Sequence, residues 1–164
     1  MRMFHKRRRL QKTNYKKRLA LLKSGVPRLV VRKSLDNIRV QIIGFEVSGD
    51  KTMASAFSAE LGGFGWKSGL GNLPAAYLTG LLAGVRAKKA GVKKTVFDLG
   101  LQTSTKGSRI YAAVKGAIDA GLSVPHSKEI LPKEERISGK HIQDRKNIEK
   151  EFAETREKIM KEEK

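Results

Sequence analysis

The sequence predicts an α/β protein: a mixed β-sheet with a βββαβα core, preceded by a basic N-terminal extension and followed by a C-terminal helix. Three observations carry this reading. Short apolar runs divided by turn residues fill positions 28–57, two segments with helical punctuation follow around one β-branched run, and the positive charge is concentrated at the N-terminus. Helices that enter only after strands argue for a sheet covered by helices. The expected divisions are a basic arm at 1–26, a core domain at 27–126 and a C-terminal extension with a charged surface helix at 127–164.

In order along the chain, the arm carries Leu10, Leu19, Leu21 and Leu22, too few for a core, although Tyr15–Lys23 can form a helix on a partner. Ser24-Gly25-Val26-Pro27 turns into a first strand, Arg28–Lys33. A second strand alternates Ile38, Val40 and Ile42 against Arg39 and Gln41, and the apolar phase slips near Gly44, where a bulge is expected. Ser48-Gly49-Asp50 leads to a third strand at about Thr52–Phe57. After a Gly-rich stretch, Asn72 caps a helix with Pro74 in its first turn, closed near Ala90 by Gly91. Its small face (Ala76, Gly80, Ala83, Gly84, Ala87) suits close approach to a sheet. Lys94–Gly100 reads as a buried strand. A second helix at about Gly107–Ala120 buries Ile110, Val114, Ala117 and Ile118 and ends at Gly121. In the tail, Ile148, Phe152 and Ile159 make a narrow stripe for docking along one edge, and Glu154/Lys158 and Glu157/Lys161 have favourable i,i+4 spacing.

The charge points to a polyanion. Residues 1–35 hold thirteen Lys or Arg and no acid, so they contribute +13 of the +19 total; residues 36–132 add +5 and residues 133–164 add +1. Such an arm repels itself until a partner neutralises it, and nucleic acid is the expected partner. Zero cysteines exclude disulfides, thiol catalysis and Cys-ligated zinc. No apolar h-region follows the basic start, and the longest apolar-rich stretch, Leu73–Val85, falls short of the ~20 residues that span a bilayer. A soluble cytoplasmic chain without membrane or small-molecule partners is expected.

The Gly-rich loop Gly62–Gly71 fails as a nucleotide motif. Trp66 stands where a P-loop needs Gly before Lys-Ser, and Gly63, Gly65 and Gly69 are one residue too wide for a dinucleotide fingerprint. Two readings of Trp66 stay open: stacking on RNA beside Lys67, or plugging the core. Lys106, Ser108 and Arg109 open the second helix, where cations oppose the dipole unless an anion binds the free N–H groups. Arg28, Arg32 and Lys33 extend the basic face from the arm into the first strand. Catalysis has little support. His5, His126 and His141 lack metal-ligand spacing, the acids Asp36, Asp50, Asp98 and Asp119 are single, and Asp98 reads as a structural carboxylate. No cofactor, metal or catalytic residue is expected.

Tyr15–Arg18, Leu21–Gly25 and Pro27–Ser34 resemble the opening of a known family: the 5S rRNA-binding protein of the large ribosomal subunit. This is the universal eighteenth protein of the subunit, homologous to the eukaryotic fifth large-subunit protein. Gly65-Trp66-Lys67, Asn72–Leu82, Lys106–Arg109, Lys115–Leu122 and Pro125-His126 extend the similarity, which covers about residues 6–142. The long Gly loop and Lys-Gly-Ser-Arg favour the archaeal form. The tail from Asp144 matches least.

The resemblance implies a ribonuclease H-like fold without a nuclease site, and attachment of 5S rRNA to the large-subunit rRNA in the central protuberance, near the other 5S-binding protein, the fifth of the large subunit. It assigns RNA contacts to Arg7, Arg8, Arg9, Lys12, Tyr15, Lys16, Lys17 and Arg18 in the arm, which is expected to order on RNA. In the body it assigns them to Arg28, Arg32, Lys33, Trp66, Lys67, Asn72, Lys106, Ser108 and Arg109. The competing class is a non-sequence-specific DNA- or RNA-binding packaging protein, for which the arm alone suffices.

Overall fold

A computed structural model describes residues 6–142 and 147–162; Arg2, His5 and Asp144 lie outside the described residues. The elements are α1 (Lys6–Arg9), α2 (Tyr15–Leu22), β1 (Arg28–Lys33), β2 (Ile38–Glu46), β3 (Gly49–Phe57), α3 (Leu73–Lys89), β4 (Val96–Asp98), α4 (Arg109–Asp119), α5 (Glu134–Ile137) and α6 (Ile148–Lys161), with short 3₁₀ turns at Ser58–Phe64 and Lys128–Ile130.

The period-2 pattern becomes a four-stranded mixed sheet in the order β3-β2-β1-β4. The pairs β1–β2 and β2–β3 are antiparallel, and β1–β4 is parallel. A parallel pair needs a crossover, and α3 supplies it between the hairpins and β4. Leu29 and Val31 of β1, Ile38, Val40 and Ile42 of β2, and Ala54 and Ala56 of β3 are buried and point to the face that α3 and α4 cover. Arg39, Gln41 and Ser55 point to the other face, where the arm lies instead of a core helix.

The predicted boundaries move for local reasons. The ladder slips between Ile42 and Ile43, where Met53 of β3 is the extra residue, so the bulge lies on the partner strand rather than at Gly44. The turn is only Val47-Ser48, because Glu46 already pairs with Gly49, and β3 therefore begins three residues early. Of Lys94–Gly100 only Val96–Asp98 forms strand. It sits at the sheet edge, half-buried except for Asp98. Helix α4 starts at Arg109, since Gly107 adopts φ 66° and cannot belong to a helix. Ile118 is only partly buried.

Helix α3 follows its punctuation closely: Asn72 Oδ1 accepts from Ala75 N at 2.8 Å, and Gly91 takes a left-handed φ of 77° after Ala90. Gly80 and Gly84 of its small face pack on α4. A Cβ on Gly80 would fall on the Ala113 backbone, and one on Gly84 would meet Ala117 and Ala120. Across the same contact, Gly116 of α4 lies against the Tyr77 carbonyl. Two helices this close leave no space for a methyl group at their crossing.

The apolar cluster does not stop at residue 126. Ile137, Ile148, Phe152 and Ile159 belong to it, and α6 lies along α3 with the Phe152 ring 5.5 Å from Tyr77. The stripe of Ile148, Phe152 and Ile159 is thus the docking edge that its spacing predicts, with Thr155 buried among them. Nearby, the Tyr77 hydroxyl donates to Asp119 Oδ2 at 2.7 Å. Burial first, and then that hydrogen bond, raise its pKa far above the ordinary tyrosine range.

Candidate nucleic-acid interface

Most of the arm's described cations are exposed. Neither α1 nor α2 has a buried residue, and Arg7, Arg8, Arg9, Lys12, Lys16 and Lys17 are exposed. Asn14 caps α2 by accepting from Lys17 N at 3.1 Å, and Arg7 Nε donates to Thr13 Oγ1 at 2.9 Å, which tightens the turn between the helices. Tyr15 and Arg18 are half-buried.

Arg18 ties the arm to the body. Its guanidinium meets Asp50 Oδ2 at 2.8 Å, and the same oxygen accepts from Arg28 Nη2 at 2.8 Å. Arg28 continues to Asp98 Oδ2 at 2.9 Å, while Asp98 Oδ1 accepts from Gly100 N at 2.8 Å and from Arg32 Nη2 at 3.3 Å. This chain of three arginines and two carboxylates runs across the open sheet face. Between arm and sheet it leaves a groove of about 850 Å³, rimmed by Arg7, Lys12 and Lys17 with Val30 and Ile43 in its floor.

The body residues expected at the interface divide into two groups. Lys33, Lys67 and Lys106 are exposed, and the Lys106–Glu129 pair at 3.7 Å is too solvated to hold its ammonium. Others are turned inward. Arg28 is only 5% exposed and is used up by Asp50 and Asp98, so it is a core cation and not part of the outer face. Arg32, half-buried, donates to the Val31 and Asp98 carbonyls at 2.8 and 2.7 Å. Asn72 is the α3 cap. Arg109 Nη1 donates to Leu35 O at 3.0 Å and Gly71 O at 2.5 Å, which clamps the β1–β2 turn and the Gly loop to α4 instead of facing solvent. The Ser108 hydroxyl is shielded and has no partner among the described residues.

Of the two readings of Trp66, the core plug is realised: it is 3% exposed, its indole N–H donates to Gly69 O at 3.3 Å, and it belongs to the main apolar cluster. It therefore cannot stack on a base. Its emission is expected to be blue-shifted, poorly quenched by acrylamide and unchanged by added RNA. A red-shifted spectrum that RNA quenches would restore the stacking role.

Asp98 is the structural carboxylate of the sheet. Asp98→Ala leaves the buried Arg28 with the part-exposed Asp50 as its one remaining carboxylate, and breaking a buried pair costs up to about 3–5 kcal/mol. Urea unfolding of the variant measures it, and a loss under about 1 kcal/mol would show that Arg28 is compensated from elsewhere.

Sequence reasoning missed Asp50. It reads as a turn acid, yet it joins arm to body; the signal was an acid placed just after a hairpin turn within reach of β1, visible only once the register is known. Also missed was Arg39, whose guanidinium lies 5.1 Å from the Phe57 ring centroid on the open face. Among the described residues no group of three or more His, Asp or Glu is placed to hold a metal ion, and no helix is long and apolar enough to cross a membrane.

A sequence-family model described as "Ribosomal large subunit proteins 60S L5, and 50S L18" matches residues 1–96 and 87–127. Among curated proteins, the large ribosomal subunit protein uL18 of Korarchaeum cryptofilum is 61% identical over 137 residues, which cover 84% of this chain and 70% of that protein. The proteins of the same name from Haloarcula marismortui and Natronomonas pharaonis are 51% and 53% identical over 137 residues, covering 84% of this chain and 73% and 74% of theirs.

Proposed function

Since this chain belongs to the family of large-subunit ribosomal proteins that comprises 60S L5 and 50S L18, we propose that it binds 5S rRNA and attaches it to the large-subunit rRNA in the central protuberance. At the coarser level it is a structural constituent of the large ribosomal subunit in the cytoplasmic ribosome, and not an enzyme. In this reading the partners are 5S rRNA, large-subunit rRNA and, nearby, the fifth large-subunit protein.

The observation that carries it is the acid-free arm, whose Arg7, Arg8, Arg9, Lys12, Lys16 and Lys17 are exposed and which Arg18 and Asp50 hold over the sheet face opposite α3 and α4. Arm cations meet phosphates and supply affinity, while Lys33 at the end of β1 and Lys67 and Lys106 in loops fix the orientation of the RNA. Arg28, Arg32, Trp66, Asn72 and Arg109 support the frame. Contacts of this kind read the shape of a folded RNA rather than a base sequence.

The test is a salt titration of 5S rRNA binding with tRNA and duplex DNA as competitors. Binding should weaken by a factor of ~10³ or more between 50 and 200 mM salt if about six phosphates are engaged. 5S rRNA should still win by a wide margin at the higher salt. If all three polyanions weaken together with no preference, the arm alone is binding, and the chain acts as a packaging protein.

A further inference from the structure

The tail that holds α6 resembles the family least, yet it is bonded to the Gly-rich loop that carries Lys67. Ser68 Oγ donates to Glu151 Oε2 at 2.8 Å, across 83 positions of sequence. Lys158, about two turns further along α6, brings its ammonium against Gly65, where a Cβ would lie 2.9 Å from Nζ. Gly65 adopts a φ of 94°, which a side chain would strain. Between these two contacts Trp66 is sealed into the core, its amide donating to Leu61 O at 3.1 Å.

Lys67 is exposed, whereas Trp66 and Ser68 on either side of it are only 3% and 7% exposed. Five glycines within residues 62–71 give this loop little stiffness of its own, so its course is set by what it is bonded to. Glu151 lies in the first turn of α6, where the helix dipole favours an acid. The dipole accounts for the exposed Glu149 equally well. It does not account for a carboxylate that accepts from the buried Ser68 of a distant loop. Nor is that bond what docks α6, which already buries Ile148, Phe152 and Ile159.

We propose that Glu151 is a positioning residue for RNA binding: through Ser68, and with Lys158 against Gly65, it clasps the Gly-rich loop and presents Lys67 in a fixed direction to the 5S rRNA backbone. The inference rests on the preceding reading for what Lys67 meets. A charge on a preorganised backbone loses less entropy on binding than one on a free loop. The proposal also fixes a sign. An acid beside an RNA site repels the ligand, so removing Glu151 strengthens binding if charge alone matters and weakens it if positioning does.

The test compares the full-length chain with E151A, E151Q, S68A, K67Q and K67Q/E151A, by 5S rRNA binding at about 150 mM salt and by hydrogen exchange at the Trp66 amide. K67Q and E151A should each weaken binding by about threefold to fivefold and lower the salt slope by about 1, the value of one phosphate contact. S68A should match E151A. E151Q, whose amide oxygen can still accept from Ser68, should stay within about twofold of the parent. The double variant should bind no more than about twofold worse than K67Q, because both changes remove the same contact. In E151A and S68A the Trp66 amide should exchange about tenfold faster, while amides in the middle of α3 keep their rates. Additive losses in the double variant, an E151A that binds as well as the parent or better, or unchanged exchange at Trp66 would each overturn the proposal. K67Q at parent affinity would instead overturn the preceding reading of Lys67, and the RNA role of Glu151 with it, while the exchange rates would still decide whether α6 clasps the loop.

Discussion

Replacing Arg7, Lys12, Lys16 and Lys17 together with glutamine is expected to weaken 5S rRNA binding by about 10³ at physiological salt. All four side chains are exposed. None is part of the Arg18–Asp50–Arg28–Asp98 chain, so the variant keeps both the body and the anchor of the arm. Each phosphate neutralised changes log K by about 0.9 per decade of salt, which near 0.15 M amounts to roughly 0.7 of a decade for each lost contact. The salt slope should fall by about 3–4 while the urea midpoint stays put. A variant that loses affinity without losing slope would show that these cations act by shaping the arm and not by meeting phosphates.

The largest effect on stability is expected at the α3–α4 crossing. Gly80→Val places its side chain on the Ala113 backbone, and the helices must separate or tilt. Helix propensity improves by less than about 1 kcal/mol when Gly is replaced, whereas overpacking against rigid backbone costs about 3 kcal/mol or more. Gly116→Val should behave alike from the other side, since it meets the Tyr77 carbonyl. Gly62→Ala is the matched control: a Cβ there has no neighbour within 4 Å, so its effect should stay within about 0.5 kcal/mol. Urea denaturation of the three variants measures the ranking. If Gly80→Val were as stable as Gly62→Ala, the two helices would not cross at these glycines.

The fold was legible wherever local chemistry decides it. β1 occupies the span its apolar run predicts, Asn72 and Gly91 mark the ends of α3, and the stripe in α6 meets the core. The errors arose where the deciding partner is distant in sequence. A small-residue helix face fits a sheet or another helix equally well, and only the packing of Gly80 on Ala113 tells them apart. The phase slip near Gly44 is real, but the inserted residue is across the ladder at Met53.

The charge of the arm was legible, and much less so which individual cations stay exposed. A basic residue in sequence does not reveal whether an acid awaits it in space. Arg28 meets Asp50 and Asp98, 22 and 70 positions away, and so leaves the surface. Arg109 finds two carbonyl oxygens in separate loops. Lys67 and Lys106 in loops stay exposed where Arg28 and Arg109 turn inward, because a forked guanidinium can satisfy several buried acceptors at once.

The burial of Ile148, Phe152 and Ile159 in the main cluster sets a schedule for synthesis. The cationic arm is made before the residues that complete the core. At about 5–20 residues per second, the arm is exposed on the nascent chain for on the order of ten seconds before the body can close. During that interval it carries its full charge beside the RNA of the very machine that is making it.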